Sequence, residues 1–163
     1  MAATHPTSPG PVTAGWREWV QLPGHEIDWL KAKLDTGARS SALHAFDVHE
    51  FDREGHPWVR FSVHPWQRSD EDAVVVERPV HDTRGVRSST GHVQQRYVVL
   101  LDITLVGRIV TAEVTLASRD QMGFRMLVGR EALRQGYLVD ARRSYLGGRP
   151  RRAVRRRNRG IAS

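Results

Sequence analysis

The sequence contains no cysteine among its 163 residues. Disulfides and thiol nucleophiles are therefore excluded, and a zinc site would need histidine and carboxylate ligands. No apolar run approaches the roughly 18 residues of a membrane-spanning helix, so we predict no membrane partner. Residues 1–15 lack the basic start and apolar core of a secretory signal, and we predict that they form a disordered leader. These absences favour a cytoplasmic protein.

Positive charge is concentrated at one end of the chain. The formal net charge is +7, and residues 149–163 alone hold seven arginines and no acid, which leaves the remainder near neutral. Runs of like charge repel, so we predict an Arg-rich disordered tail over residues 149–163. The alternative is a contact between this tail and the phosphates of RNA or the ribosome. No aromatic residue lies among the arginines, so base recognition is not expected.

Short strand-like segments dominate residues 16–148. Leu30, Ala32 and Leu34 alternate with lysines, which is the period of a half-buried strand. Similar segments occupy residues 57–65, 72–80 and 96–117, the last broken at residues 106–108, and a short helix is expected near residue 131. Strands of this length and spacing predict one mostly-β, closed-barrel domain with one or two short helices.

Three features follow one another in a specific order. Asp35 ends an apolar strand and is followed by Thr36 and Gly37, which predict a turn. A polar, glycine-containing segment lies at residues 86–99, and the apolar-apolar-glycine sequence "LVG" ends at Gly129. An aspartate in such a turn has two interpretations: it caps its own backbone, or it carries chemistry.

This order of segments resembles the retropepsin fold of the aspartic proteases. The match is closer to the bacterial RimB-like family, whose members carry the label "ATP-dependent zinc protease". It rests on "KLDTGARSSALHA", "VRSSTGHVQQRYVV", "LVGREAL" and "YLVDARRSYL", and it covers nearly all of residues 16–146. The resemblance implies a hydrolase that cleaves a peptide or protein substrate by the aspartic mechanism.

The resemblance also implies roles for individual residues. The catalytic turn would consist of Asp35, Thr36 and Gly37, and residues 84–98 would form a flap over the substrate. The implied substrate-binding residues are Ala38, Arg39, Ser40, Arg87, Ser88, Ser89, Gly91, Val128, Gly129 and Arg130. Hydrolysis by carboxylates requires two of them sharing one proton. Because the chain has one Asp-Thr-Gly, we predict a homodimer to which each subunit contributes Asp35.

The arginines beside the turn depart from the retroviral pattern. In retroviral enzymes, an acidic residue occupies the position of Arg39 and pairs with the arginine that follows the late glycine, here Arg130. Two arginines are therefore expected to meet, and like charges repel. We hypothesise that they form a cationic wall for an acidic substrate such as a glutamate-rich peptide.

Zinc and ATP enter only through the family label. The sequence has no His-Glu-x-x-His motif and no nucleotide-binding glycine loop. His44 is the one candidate metal ligand, because it follows the Asp turn, and we predict no cofactor. The family looks functionally linked to ATP-grasp glutamate ligases, which would supply any ATP dependence as partners. The remaining alternatives are a zinc-dependent peptidase and a non-catalytic module that docks on a ribosomal or acidic partner.

Overall fold

The structure is a computed structural model that describes residues 10–87, 90–118 and 123–160, with the side chains of residues 86 and 87 left aside. Its strands are β1 (Val12–Gly15), β2 (Arg17–Leu22), β3 (Ile27–Asp35), β4 (Ser41–His44), β5 (Phe46–Arg53), β6 (His56–Val63), β7 (Val74–Pro79), β8 (Asp82–Arg87), β9 (Val93–Leu105), β10 (Arg108–Ala117), β11 (Met126–Gly129) and β12 (Tyr137–Asp140). The helices are α1 (Arg130–Leu133) and α2 (Arg152–Asn158). Neither has the length and apolar character that crossing a membrane requires.

Six strands close into a barrel. Neighbouring strands follow the order β10, β4, β11, β3, β2 and β9, and the ring closes because β10 also pairs with β9. Along β3, Leu30, Ala32 and Leu34 are buried inside the barrel, while the lysines between them face outward. Alternating burial thus produces the predicted fold class, a mostly-β closed barrel.

A three-stranded sheet of β5, β6 and β7 completes the hydrophobic core. Val59, Phe61 and Val63 of β6 are buried in the same cluster as the barrel residues. The short strand β8 lies outside the closed ring and pairs only with β9 among the described strands. This pairing forms the hairpin that the sequence placed at residues 84–98.

The N-terminal segment differs from its predicted disorder. Strand β1 pairs in parallel with β12, in the register Val12 with Tyr137 through Gly15 with Asp140. The ordered domain therefore begins at β1 and not at Trp16. The backbone N–H and C=O groups of β1 bond to β12, whereas the composition of this segment predicted that they would be bonded to water. Residues 1–9 of the predicted leader lie outside the described residues.

The C-terminal segment also differs from its predicted disorder. Residues 152–158 form α2, and Asn158 is buried against the body of the domain. Its Oδ1 accepts a hydrogen bond from the backbone N–H of Gln67 at 2.8 Å, and Arg157 pairs with Asp72 at 3.1 Å. Asp72, in the loop between β6 and β7, thus offsets part of the repulsion between the arginines, an effect that the local sequence does not contain. Residues 161–163 lie outside the described part.

Candidate active site

Asp35 is the last residue of β3, and its carboxylate is oriented by the turn that follows. Oδ1 accepts hydrogen bonds from the backbone N–H groups of Gly37 at 3.0 Å and Ala38 at 3.2 Å. Within the described part of the chain both bonds go to Oδ1, so Oδ2 remains available to a ligand. The side chain is half-buried, and Thr36 and Gly37 are exposed. The carboxylate therefore caps its own turn and is also accessible.

Strand β11 runs beside the end of β3 and brings Gly129 opposite Asp35. The two strands are parallel, and Val128 is buried opposite Leu34. A Cβ atom on Gly129 would overlap the carbonyl group of Ser40 and would lie 3.0 Å from the carbonyl oxygen of Ala38. Only glycine permits this approach between the two segments, which explains the residue type at the end of β11.

Backbone hydrogen bonds hold the loop after Asp35 against the start of α1. The N–H of Arg130 donates to the carbonyl oxygen of Ala38 at 2.7 Å, and that of Glu131 donates to Arg39 at 2.9 Å. The N–H of Gly129 donates to Oγ of Ser41 at 3.0 Å, and this bond is buried. Two segments about ninety residues apart therefore form one rigid frame around the carboxylate.

Ser41 is a site residue that was not predicted from the sequence. The prediction was Ser40, whose carbonyl lies against Gly129, whereas the side chain that accepts the hydrogen bond from β11 is that of Ser41. Ser41 is 2% exposed and stands two residues before the buried Leu43 in β4. The signal was therefore a polar residue at an inward position of a strand, where it needs a partner.

Arg39 and Arg130 each lie near an oxygen acceptor, and the expected approach of their two guanidinium groups stays a prediction. The guanidinium of Arg130 donates to the carbonyl oxygen of Thr36 at 3.4 Å, and the guanidinium of Arg39 lies 4.0 Å from Oε2 of Glu113. Strand β10 places Glu113 near Arg39, although the same oxygen accepts a shorter hydrogen bond from Arg84. The side chain of Arg39 is 65% exposed, so its charge is still presented to solvent beside the turn.

The candidate flap is an antiparallel hairpin of β8 and β9. Arg87 lies opposite Val93, and Gly91 near the tip has φ of +85°, a conformation that favours glycine. Ser88, Ser89 and the side chain of Arg87 lie outside the described part of the structure. Their assignment to substrate binding therefore stays a prediction.

Glu113 connects the base of this hairpin to the segment after Asp35. It accepts a hydrogen bond from Arg84 of β8 at 2.9 Å and lies 3.3 Å from the ring of His81. The hydrogen bond from Arg84 lowers the pKa of the Glu113 carboxyl, and the bond from His81 acts in the same direction against the opposing effect of burial. Because Arg39 lies near the same carboxylate, the hairpin base stands next to the candidate site.

The residues around His44 do not fit a zinc ion. His44 is buried, and its ring stacks on that of His64 with centroids 5.5 Å apart and an angle of 15° between the planes. Residues 10–87, 90–118 and 123–160 contain no group of three or more histidine or carboxylate side chains arranged to hold a metal.

The sequence matches one protein family over most of its length. The profile of the RimB-like family, described as "Retropepsin-like aspartic endopeptidase RimB", matches residues 13–150. This match confirms the resemblance that the four sequence segments indicated.

The chain is also similar to part of several larger proteins named "Probable alpha-L-glutamate ligase". The protein from Shewanella halifaxensis is 43% identical over 131 residues, which cover 80% of this chain and 29% of that protein. The one from Parasynechococcus marenigrum is 40% identical over 134 residues, covering 82% and 29%. The chain thus spans less than a third of the length of these relatives.

A solved structure shares the architecture. It is that of a protein of unknown function from Legionella pneumophila, with 28% identity, a TM-score of 0.71, and coverage of 83% of this chain and 98% of that one. Together with the barrel and the Asp35 turn, the family match gives the assignment. The chain belongs to the RimB-like family of retropepsin-like aspartic endopeptidases.

Proposed function

We propose that the protein is an aspartic-type peptidase that works as a homodimer, with Asp35 of each subunit in one shared active site. The observation that carries the proposal is the Asp35 turn itself. Its carboxylate is oriented through Oδ1, remains accessible through Oδ2, and is framed by the glycine strand β11. One subunit supplies one such turn, so a second copy is required to complete the pair.

The chemistry follows from two carboxyl groups that share one proton. The ionised carboxylate removes a proton from a water molecule, whose oxygen attacks the carbonyl carbon of the peptide bond. The protonated carboxyl donates its proton to the carbonyl oxygen, which gives a tetrahedral diol. Proton transfer to the amide nitrogen then breaks the C–N bond and releases an acid and an amine. Water is the only co-reactant.

The substrate class follows from the charges around the turn. Arg39 is largely exposed, and Arg130 holds the carbonyl of Thr36 beside the catalytic residue. Guanidinium groups bind carboxylates by paired hydrogen bonds, so an acidic, glutamate-rich peptide is the substrate that suits this entrance. Similar segments occur within larger proteins named as glutamate ligases, which supports an ATP-grasp ligase as a functional partner.

The decisive substitution is Asp35→Asn. Asparagine keeps an oxygen that can accept the N–H groups of Gly37 and Ala38, so the fold should be unchanged. Cleavage of a glutamate-rich peptide, followed by mass spectrometry, should fall by about 10⁴-fold or more. Asp28→Asn is the matched control, because Asp28 is exposed on the same strand and outside the site; its activity should equal that of the wild type. Residual cleavage by the Asp35→Asn variant at the wild-type rate would exclude the aspartic mechanism.

Mixing the two proteins tests the homodimer. If each site needs two aspartates, exchange with an equal amount of Asp35→Asn subunits should reduce activity per wild-type subunit to about half. An unchanged activity per wild-type subunit under exchange would show that one subunit is sufficient.

A non-catalytic docking module is the second candidate. The similarity to a minor part of proteins named as ligases favours it, because a domain of that kind can present an acidic chain to a neighbouring enzyme. Under this interpretation wild-type and Asp35→Asn proteins bind the same peptide, and neither cleaves it.

A further inference from the structure

A cavity of about 240 Å³ lies on the outer surface of the barrel, where α2 and the segment before it approach β2 and β3. It has two aromatic residues, one amide and four cationic side chains in its wall. These residues are Trp19, Lys31, Tyr145, Arg149, Arg155, Asn158 and Arg159. None of them carries a carboxylate, so the wall holds an excess of positive charge.

Lys31 stands in a cationic environment, and the buried Glu18 carboxylate beside the cavity is already held by the backbone N–H groups of Gly15, Leu146 and Gly147. Burial lowers the pKa of the Lys31 ammonium, and the guanidinium groups of Arg17, Arg68 and Arg159 lower it further. By contrast Arg157, on the same helix as Arg155, pairs with Asp72 at 3.1 Å. The cavity therefore gathers cations whose repulsion an anion would relieve.

Two hydrogen-bond donors in the cavity wall lack acceptors. Among the described residues, Nε1 of Trp19 and Nε of Arg155 are buried and have no hydrogen-bond partner. Trp19 as a whole is only 7% exposed. Buried donors are rarely left in this state in folded proteins, and a ligand with acceptor oxygens would supply what the wall lacks.

The aromatic rings in the wall are already occupied by neighbours. Trp19 stacks on Tyr145 with centroids 5.7 Å apart, Lys31 lies over Trp19 at 5.7 Å, and Arg149 lies over Tyr145 at 5.1 Å. Single-stranded nucleic acids need accessible rings on which bases stack. The cavity therefore favours a compact carboxylate over a nucleotide chain.

The cavity and Asp35 lie on the same side of one strand. Lys31, Lys33 and Asp35 alternate with the buried residues of β3, so all three belong to its outward face. Lys31 and Asp35 are four positions apart along the strand, a distance of about 13 Å. An extended polypeptide covers this distance with about four of its own residues.

We propose that the cavity is an anchoring subsite that binds an acidic side chain of a polypeptide whose scissile bond lies at Asp35. The subsite holds the chain about four residues from the scissile bond and takes no part in the bond cleavage. The proposal rests on the proposed function for the identity of its ligand, but binding can be measured without hydrolysis. The two can therefore fail independently.

The test measures binding of a fluorescein-labelled polyglutamate peptide by fluorescence anisotropy, in the Asp35→Asn background so that no cleavage occurs. Arg149→Gln combined with Arg159→Gln removes two exposed cations from the cavity wall. Arg151→Gln combined with Arg152→Gln removes two exposed arginines from the same tail outside the cavity. The cavity pair should weaken binding roughly tenfold at low salt, and the control pair less than about twofold.

Circular dichroism checks that both pairs of substitutions leave the fold unchanged. If the double substitution in the cavity unfolds the tail, Lys31→Gln provides a variant on the barrel itself and should also weaken binding.

Equal losses of peptide affinity in the cavity variant and the control variant would overturn the proposal, because the effect would then come from net charge alone. Cavity-dependent binding of an oligouridylate in preference to polyglutamate would replace it by a nucleic-acid site. Cavity-dependent peptide binding without any cleavage by the wild-type protein would retain the subsite and remove the proposed function.

Discussion

The Asp35 turn and the cationic cavity share strand β3, yet they are assembled in different ways. The turn consists of two short continuous segments joined by main-chain hydrogen bonds, such as that from Arg130 to Ala38 at 2.7 Å. The cavity consists of side chains from β2, β3, the segment at Tyr145 and α2, and the bonds that shape it are mostly between side chains and backbone. One site is defined by local motifs and the other by how distant parts of the chain pack.

This difference teaches that the two regions should respond differently to substitution. Main-chain geometry around Asp35 depends on small residues at fixed positions, so an added methyl group is enough to disturb it. The cavity depends on a few anchors that hold the C-terminal segment on the barrel. Glu18 is the strongest of these, since its buried carboxylate accepts N–H bonds from Gly15 at 2.7 Å, Leu146 at 2.9 Å and Gly147 at 2.9 Å.

The largest effect on stability is expected for Gly129→Ala, which places a methyl group against the loop that follows Asp35. The new Cβ would overlap the carbonyl group of Ser40, so β11 and the loop after Asp35 must separate. We expect the free energy of unfolding to fall by about 4 kcal/mol, with loss of peptidase activity, as measured by urea denaturation and peptide cleavage. Gly123→Ala is the control, because its Cβ would meet no atom within 4 Å. Equal stability of the two variants would contradict the close contact between Gly129 and the carbonyl group of Ser40.

Glu18→Gln should reduce stability somewhat less, and it should loosen mainly the C-terminal segment that forms the cavity wall. An amide offers one acceptor in place of the two carboxylate oxygens and directs N–H groups at backbone donors. The free energy of unfolding should fall by about 2 to 3 kcal/mol. Hydrogen exchange should accelerate at Leu146 and Gly147, while Gly37 and Ala38 keep their protection. Uniform acceleration at all four amides would show that the turn and the C-terminal segment are not separate units.

The smallest effect is expected for Lys31→Met, which removes one cation from the cavity wall. Because burial and nearby arginines lower the pKa of Lys31, its charged form destabilises the folded state at neutral pH. Replacing Lys31 by methionine should raise Tm by roughly 1 °C at low salt. The expected increase is small because the lysine is only partly buried. The gain should shrink as the pH rises through the folded-state pKa of Lys31, because the wild-type lysine then loses its charge.

The control for this prediction is Lys33→Met on the same face of β3, where the side chain is exposed. Its effect on Tm should be smaller, and added salt should reduce the difference between the two variants. A lower Tm for Lys31→Met at low salt would indicate that the lysine is stabilised by a partner and would count against an uncompensated cationic cavity.

The barrel could be predicted from sequence because strand burial is a local, alternating pattern. Leu30, Ala32 and Leu34 fix the inward face of β3, and the glycine break at residues 106–108 fixes the hairpin of β9 and β10. The pairing of β1 with β12 could not be predicted, because it joins residues more than a hundred positions apart and residues 1–15 have a loop-like composition.

The site residues also fall into two groups, those recognisable in local motifs and those whose partners are distant in the chain. Asp35, Gly37 and Gly129 stand in motifs whose residue types are required by the backbone geometry, so the sequence could indicate them. Ser41 and Glu113 act through partners that only folding brings near, namely the N–H of Gly129 and the side chain of Arg84. For the same reason the sequence did not indicate that Glu113 lies near Arg39, since the position of a carboxylate on β10 cannot be seen in the local sequence.

The amino-acid sequence by itself determined the barrel, its family and the aspartate turn, because alternation of polarity and the steric freedom of glycine act between near neighbours. Tertiary structure alone decided which arginines find acceptors, how the C-terminal helix docks, and that four cations meet beside Trp19 and Tyr145. Electrostatic energies depend on distances between residues far apart in the chain, and those distances exist only after the chain has folded.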